Sequence, residues 1–134
     1  MITRLFCLFG KREQGTGVNS QNMEFIFVYI TCKDRVEAFN VGKSVVEDRL
    51  AACANIIDGM DSIYWWNGEL QVEKEAILIM KSRRDLLEEL TEKVKSKHSY
   101  EVPCVVALPI EKGNLDYLNW LIAETKSKQI STNG

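Results

Sequence analysis

Asn67-Gly68 sits between two long runs of strand-forming residues, and no other feature of the chain constrains its fold as tightly. Asn-Gly is the strongest short-range signal for a two-residue type I′ hairpin, because both turn positions need the positive φ that Asn and Gly tolerate. So short a loop leaves one register: Trp66 faces Glu69, Trp65 faces Leu70, Ile63 faces Val72 and Asp61 faces Lys74. The first arm begins in AACANII, is interrupted at Asp58-Gly59 and continues through SIYWW; the second starts at Glu69 and turns richly apolar at Ala76 to Met80. Both arms are longer than an average strand, so the turn end is expected to project past the helix-covered part of the sheet. Ile63, Trp65, Leu70 and Val72 share one face near that end. A lone two-stranded ribbon is marginal in water. Either the C-terminal helix covers these side chains or other copies of the chain do, and self-association is the expectation.

The remaining elements follow from periodicity. Phe25 to Ile30 is apolar on both parities, as in a strand covered on both faces. Asp34 with Glu37 resembles a capping box, and Ala38, Val41, Gly42, Val45, Val46 and Leu50 follow at helical spacing, predicting a helix over 35–51. Ser82 with Asp85 repeats the capping pattern ahead of Leu87, Leu90 and Val94, a second helix ending near Lys97. VPCVVALPI at 102–110 reads as a fourth strand, with Pro103 and Pro109 suited to strand ends or an edge. Asn114 is placed to cap a terminal helix over 115–124, whose Leu115, Leu118, Leu121 and Ile122 face inward and whose Tyr117 and Trp120 widen that face. The order βαββαβ plus a C-terminal helix predicts a ferredoxin-like α+β fold, with helices on one face of an antiparallel four-stranded sheet. Its other face carries little charge, so burial against neighbouring subunits is expected.

With 134 residues, 46% of them hydrophobic, the chain can build one core, expected over 23–125. Residues 1–22 read as a disordered extension, whose apolar run Leu5 to Phe9 is too short for a signal peptide or a membrane span; 126–134 reads as a frayed tail. Seventeen basic against nineteen acidic residues give a net charge of -2, which argues against nucleic acid and anionic membrane as partners. Cys7, Cys32, Cys53 and Cys104 form no CxxC pair and read as reduced thiols in a cytoplasmic protein.

Five stretches also resemble a known family: RLAACANI at 49–56, SIYWWNGELQ at 62–71, EAILIMKS at 75–82, HSYEVP at 98–103 and GNLDYLNWL at 113–121. Together they resemble the CutA family, the divalent-cation tolerance proteins, over about residues 23–123. The resemblance implies a protomer similar in fold to the PII signalling proteins and assembled as a tight homotrimer. It also implies a link to tolerance of copper and other divalent ions, with no established catalytic reaction. The chain departs from the pattern with Ser99 where proline usually follows the histidine, and with Cys104, a soft sulfur, where a glutamate is usual. Copper-binding members draw on a cysteine before the threonine that ends strand one and on paired histidines. Here Ile30 precedes Thr31 and Lys97 precedes His98, so one of those three donors is present.

His98, the only histidine, is either an imidazolium complementing the end of the second helix beside Lys95 and Lys97, or a metal ligand. As a ligand it needs further donors, from Glu101 and Cys104 of its own loop or from copies of the chain. Cys104 and Met80 would supply the soft sulfur that copper(I) prefers, whereas a buried Cys104 in a strand would act as a small hydrophobe. Cys53 has a core context, and Cys32 beside Lys33 and Arg35 is a candidate for a lowered pKa. Trp65 and Trp66 point to opposite faces, one as an interface anchor and the other lining a cleft. Lys81 is either a snorkelling side chain or an anion clamp facing Tyr100 and Glu101 of a neighbouring copy, while Arg83 and Arg84 read as a solvated turn. No Ser-His-Asp triad or Cys-His dyad can be placed from spacing, and the glycines form neither GxGxxG nor a P-loop. The expectation is a non-enzymatic homotrimer. In its inter-subunit clefts it binds a divalent metal such as copper or zinc through His98 and Cys104, or a small anionic molecule through Lys81, Tyr100, Glu101 and Trp66. The alternatives are a PII-like signalling or scaffold trimer, and a small enzyme using Lys81, His98 and Tyr100.

Overall fold

The structure, a computed structural model, describes residues 23–127. The expected extension over 1–22 and the tail beyond 127 lie outside the described residues. Strand β1 (Phe25–Cys32), helix α1 (Arg35–Glu47), β2 (Cys53–Trp66), β3 (Glu69–Arg83), a 3₁₀ turn (Arg84–Leu86), α2 (Leu87–Lys97), β4 (Val105–Ile110) and α3 (Leu115–Glu124) follow in order. The four strands form one antiparallel sheet in the order β2-β3-β1-β4, the ferredoxin-like arrangement.

The hairpin closes as its turn chemistry requires. Asn67 and Gly68 have φ of 50° and 78°, and Trp66 pairs with Glu69, Trp65 with Leu70, Ile63 with Val72 and Asp61 with Lys74. Asp58-Gly59 does not end the strand: it makes a bulge between Ile57 and Met60, with Gly59 at φ 77° and its N–H donating to Asp58 Oδ1.

Helix α1 starts at Asp34, whose Oδ1 accepts the Glu37 N–H at 2.8 Å. It ends at Glu47, four residues before the expected 51. Arg49 turns left-handed at φ 58°, its N–H donates to Val46 O and that of Leu50 to Val45 O. That pairing is a Schellman stop in which Leu50 leaves the helix yet still enters the core. Ser82 and Asp85 do not cap α2, because Ser82 Oγ donates to Leu50 O at 2.6 Å and Asp85 accepts from Arg83. Arg83 is itself buried, forked onto both Asp85 oxygens and bonded to Thr125 Oγ1, so the expected solvated turn holds for Arg84 alone. β4 begins at Val105, leaving Cys104 outside the strand and exposed. Asn114 caps α3 as its position predicts, with Oδ1 accepting the Asp116 N–H, but Leu115 stands in solvent rather than facing inward.

Two apolar clusters lie on opposite faces of the sheet. On one, Ile26, Val28, Ile30, Ala76, Leu78 and Met80 pack under Ala38, Val41 and Val45 of α1 and Leu90 and Val94 of α2. Approach there is close: a Cβ on Gly42 would stand 2.9 Å from Leu78 Cδ1 and 3.1 Å from Ala54 Cβ. On the other face, α3 covers only one end, with Leu118 and Leu121 over Phe25 and Ala52. The rest of that face is half-buried or bare, with Ile57, Val106 and Leu108 exposed. Beyond both clusters the hairpin projects with Trp65 72%, Ile63 69%, Val72 68% and Leu70 55% exposed. No described helix covers these four, which removes the alternative in which the C-terminal helix shelters them.

Candidate functional site

The end of β1, the start of α1 and the end of α2 meet at one buried corner. His98 is the C-cap of α2, its N–H donating to Val94 O, and its ring turns inward until its side chain has no exposure. Nε2 lies 2.8 Å from Thr31 O, and Nδ1 accepts the Tyr100 N–H at 3.0 Å. A carbonyl only accepts and an amide N–H only donates. The proton therefore sits on Nε2 and the ring is neutral. This is not the exposed imidazolium of a helix-dipole partner, because the ring is buried and bonded across the fold.

Glu37 stands beside it, with Oε1 3.6 Å from His98 Nε2. One Glu37 oxygen accepts the Lys33 N–H and the other the Ser99 N–H, each at 3.1 Å. Cys32 completes the corner, the ligand atoms of all three side chains lying within 4.8 Å of one another. Burial first, then the carboxylates of Glu37, Glu75 and Asp34, push the Cys32 thiol up to about 12. The lowered pKa expected from Lys33 and Arg35 is reversed, because both of those residues are exposed while Glu37 turns in.

A divalent ion needs a thiolate, a bare imidazole lone pair and a free carboxylate oxygen. Here the Tyr100 N–H occupies the imidazole lone pair and both Glu37 oxygens already accept backbone N–H groups. As arranged, the trio does not fit a metal.

The other candidates are spread along the molecule. The Tyr100 ring lies 4.7 Å from that of His98, and its hydroxyl donates to buried Glu75 Oε2 at 2.8 Å. Burial and then that carboxylate raise the Tyr100 hydroxyl pKa. Lys81 stands on the sheet face opposite α1 and α2, paired across strands with Phe27 and Cys53, and donates to Asn55 Oδ1 at 2.7 Å. Glu75 and Lys81 are six residues apart on β3, a span of about 20 Å at strand rise. One protomer therefore does not bring Tyr100 to Lys81. Trp66 is exposed at the turn, and Glu101 and Cys104 are exposed on the loop after α2. Two surface hollows, one along Glu88, Glu92 and Lys93 and one along Arg49, Trp120 and Glu124, include none of the six candidates. Thr31, Glu37, Glu75 and Asn55 were not singled out as site residues; the Asp34-Glu37 spacing marked Glu37 only as a helix start.

This architecture and its buried His-Glu-Cys corner define a ferredoxin-like α+β protein. A family model described as CutA1 divalent ion tolerance protein matches residues 26–124. A rice relative named Protein CutA 1, chloroplastic, is 45% identical over 107 residues, which is 80% of this chain and 60% of its own length. The chain likewise spans 60% of the length of the Arabidopsis thaliana relative. The Divalent-cation tolerance protein CutA of Pyrococcus horikoshii is 44% identical over 101 residues, 75% of this chain and 98% of that one. The crystal structure of CutA1 from Oryza sativa superposes with a TM-score of 0.76 at 45% identity, covering 78% of this chain and 96% of that one. The chain belongs to the CutA1 divalent ion tolerance family.

Proposed function

We propose that the protein is a non-catalytic, trimeric divalent-cation tolerance protein whose working sites are clefts between subunits. The carrying observation is the projecting ribbon, whose two arms pair in register up to the turn and yet keep Ile63, Trp65, Leu70 and Val72 in water. An apolar surface of that kind is what a symmetric assembly covers. Separation of Lys81 from Tyr100 within one protomer supports the same reading, because only neighbouring copies can bring them together.

In such a cleft Lys81, Tyr100, Glu101 and Trp66 take a small anionic molecule, with the ammonium as the clamp and the tryptophan as an apolar wall. A divalent metal such as copper or zinc is the second reading. It is favoured by the family's tolerance of divalent ions and by the exposed Glu101 and Cys104 on one loop. Free thiols at Cys32, Cys53 and Cys104 support a reducing, cytoplasmic setting.

The test is calorimetric titration of inorganic phosphate and of zinc(II) into wild type, Lys81→Ala and Cys104→Ser. Loss of phosphate heat in Lys81→Ala or of zinc heat in Cys104→Ser supports the cleft. Isotherms unchanged in both variants reject it. A trimer with no heat from either probe would favour the PII-like signalling or scaffold role.

A further inference from the structure

We propose that His98 is a positioning residue, a neutral imidazole protonated at Nε2 that bolts the 98–104 loop to β1 and α1, and that it is not a metal ligand. Its ring is used completely: Nε2 donates to Thr31 O and Nδ1 accepts from Tyr100 N. Glu37 repeats the arrangement from α1, one oxygen on the Lys33 N–H and the other on the Ser99 N–H. Two consecutive loop amides, Ser99 and Tyr100, are thus held by side chains that belong to different helices. Neither a metal nor a second proton fits this pattern without breaking it. Metal at Nδ1 displaces the Tyr100 N–H, and metal at Nε2 removes the proton that Thr31 O accepts. A proton on Nδ1 would set two donors face to face.

The bolt fixes what the loop carries. Tyr100 is held by its backbone and by its ring against His98, which aims its hydroxyl at Glu75; Glu101 and Cys104 follow outward into solvent. The only histidine therefore governs the proposed cleft from behind, touching no ligand in it. This consequence rests on the cleft reading above, whereas the tautomer does not.

The test is a ring-nitrogen NMR correlation on full-length protein at neutral pH, with and without saturating zinc(II). The expected spectrum has a proton on Nε2, none on Nδ1, and no change with zinc. A proton on Nδ1, or ring shifts on adding zinc, would overturn the proposal. Amide exchange in variants separates positioning from simple packing. His98→Ala is expected to speed exchange at Tyr100 by tenfold or more. His98→Asn, whose Oδ1 can replace Nδ1 as acceptor, is expected to restore part of that protection. Equal loosening in both variants would mean that the ring acts by volume alone. Should His98→Ala fail to fold, the wild-type tautomer and its indifference to zinc still decide the matter. Isotherms unchanged in both Lys81→Ala and Cys104→Ser would sink the cleft and leave the tautomer result standing.

Discussion

Two halves of strand β3 share one pairing partner, β2, and have very different surroundings; the inner half also pairs with β1 over 76–83. Ala76, Leu78 and Met80 lie fully buried beneath α1 and α2, while Leu70 and Val72, on the same face of the same strand, are mostly exposed. Both halves pair with β2 in continuous antiparallel register apart from the bulge at Ile57/Met60. On the β2 side backbone pairing does not distinguish them, but among the described residues only the inner half is also paired on its other edge, with β1, and the hairpin half leaves that edge open. Cover differs as well, and cover is worth about 1.5–3 kcal/mol for each large apolar side chain. The covered half stabilises the protomer by itself. The bare half offers that energy to whatever packs on it, which under the proposed assembly is another copy of the chain.

The sharpest contrast is expected from truncating each half in turn. Leu78→Ala empties a closed core position and is expected to cost about 2–5 kcal/mol, read from the urea midpoint. Ile63→Asp with Val72→Asp alters only the bare half. It is expected to leave far-UV circular dichroism intact while weakening assembly by about 2 kcal/mol or more, seen as a lower mass at micromolar concentration. If the double variant instead unfolds the protomer, the two halves are not separable and the comparison fails.

The buried corner gives a smaller, pH-dependent effect. Cys32 keeps its proton in the folded chain to about 12, while an unfolded thiol releases it near 9.0. The folded chain thus binds the extra proton between those values, so this contribution to stability is complete below 9.0 and is lost progressively as pH rises toward about 12. The slope is at most about 1.4 kcal/mol per pH unit. Cys32→Ala is expected to flatten the fall of stability in that window, measured by urea unfolding at stepped pH; an unaltered slope would show that the thiol is not the titrating group. Smallest of all, Lys74→Ala breaks an ion pair with Asp61 whose two side chains are 76% and 66% exposed. It is expected to change stability by less than about 1 kcal/mol.

The hairpin was legible from Asn67-Gly68 because a two-residue turn fixes its partners within a few positions along the chain. Asn114 and Asp34 were legible as caps for the same reason, each bonding an amide two or three residues ahead. Helix ends were less so: the stop at Arg49 uses a left-handed residue other than glycine, which no composition signal marks. Local pattern also misread Ser82-Asp85, since the competing partners, Leu50 O for Ser82 and Arg83 for Asp85, won. The corner at His98 was hidden by distance. Its bond to Thr31 spans 67 residues and the Glu37 bond to Ser99 spans 62, so only the folded chain reveals that the histidine is used up. The charge reading of Cys32 failed because sequence adjacency shows Lys33 and Arg35 but not the burial of the thiol, which leads, nor Glu75, brought in from β3 to act on it with Glu37 and Asp34.

The most direct test of this account is the mass of the full-length protein by light scattering after size exclusion at micromolar concentration. Three times the 15.3 kDa chain mass is the result it predicts. A homogeneous 15.3 kDa species would leave the ribbon bare in solution and contradict it.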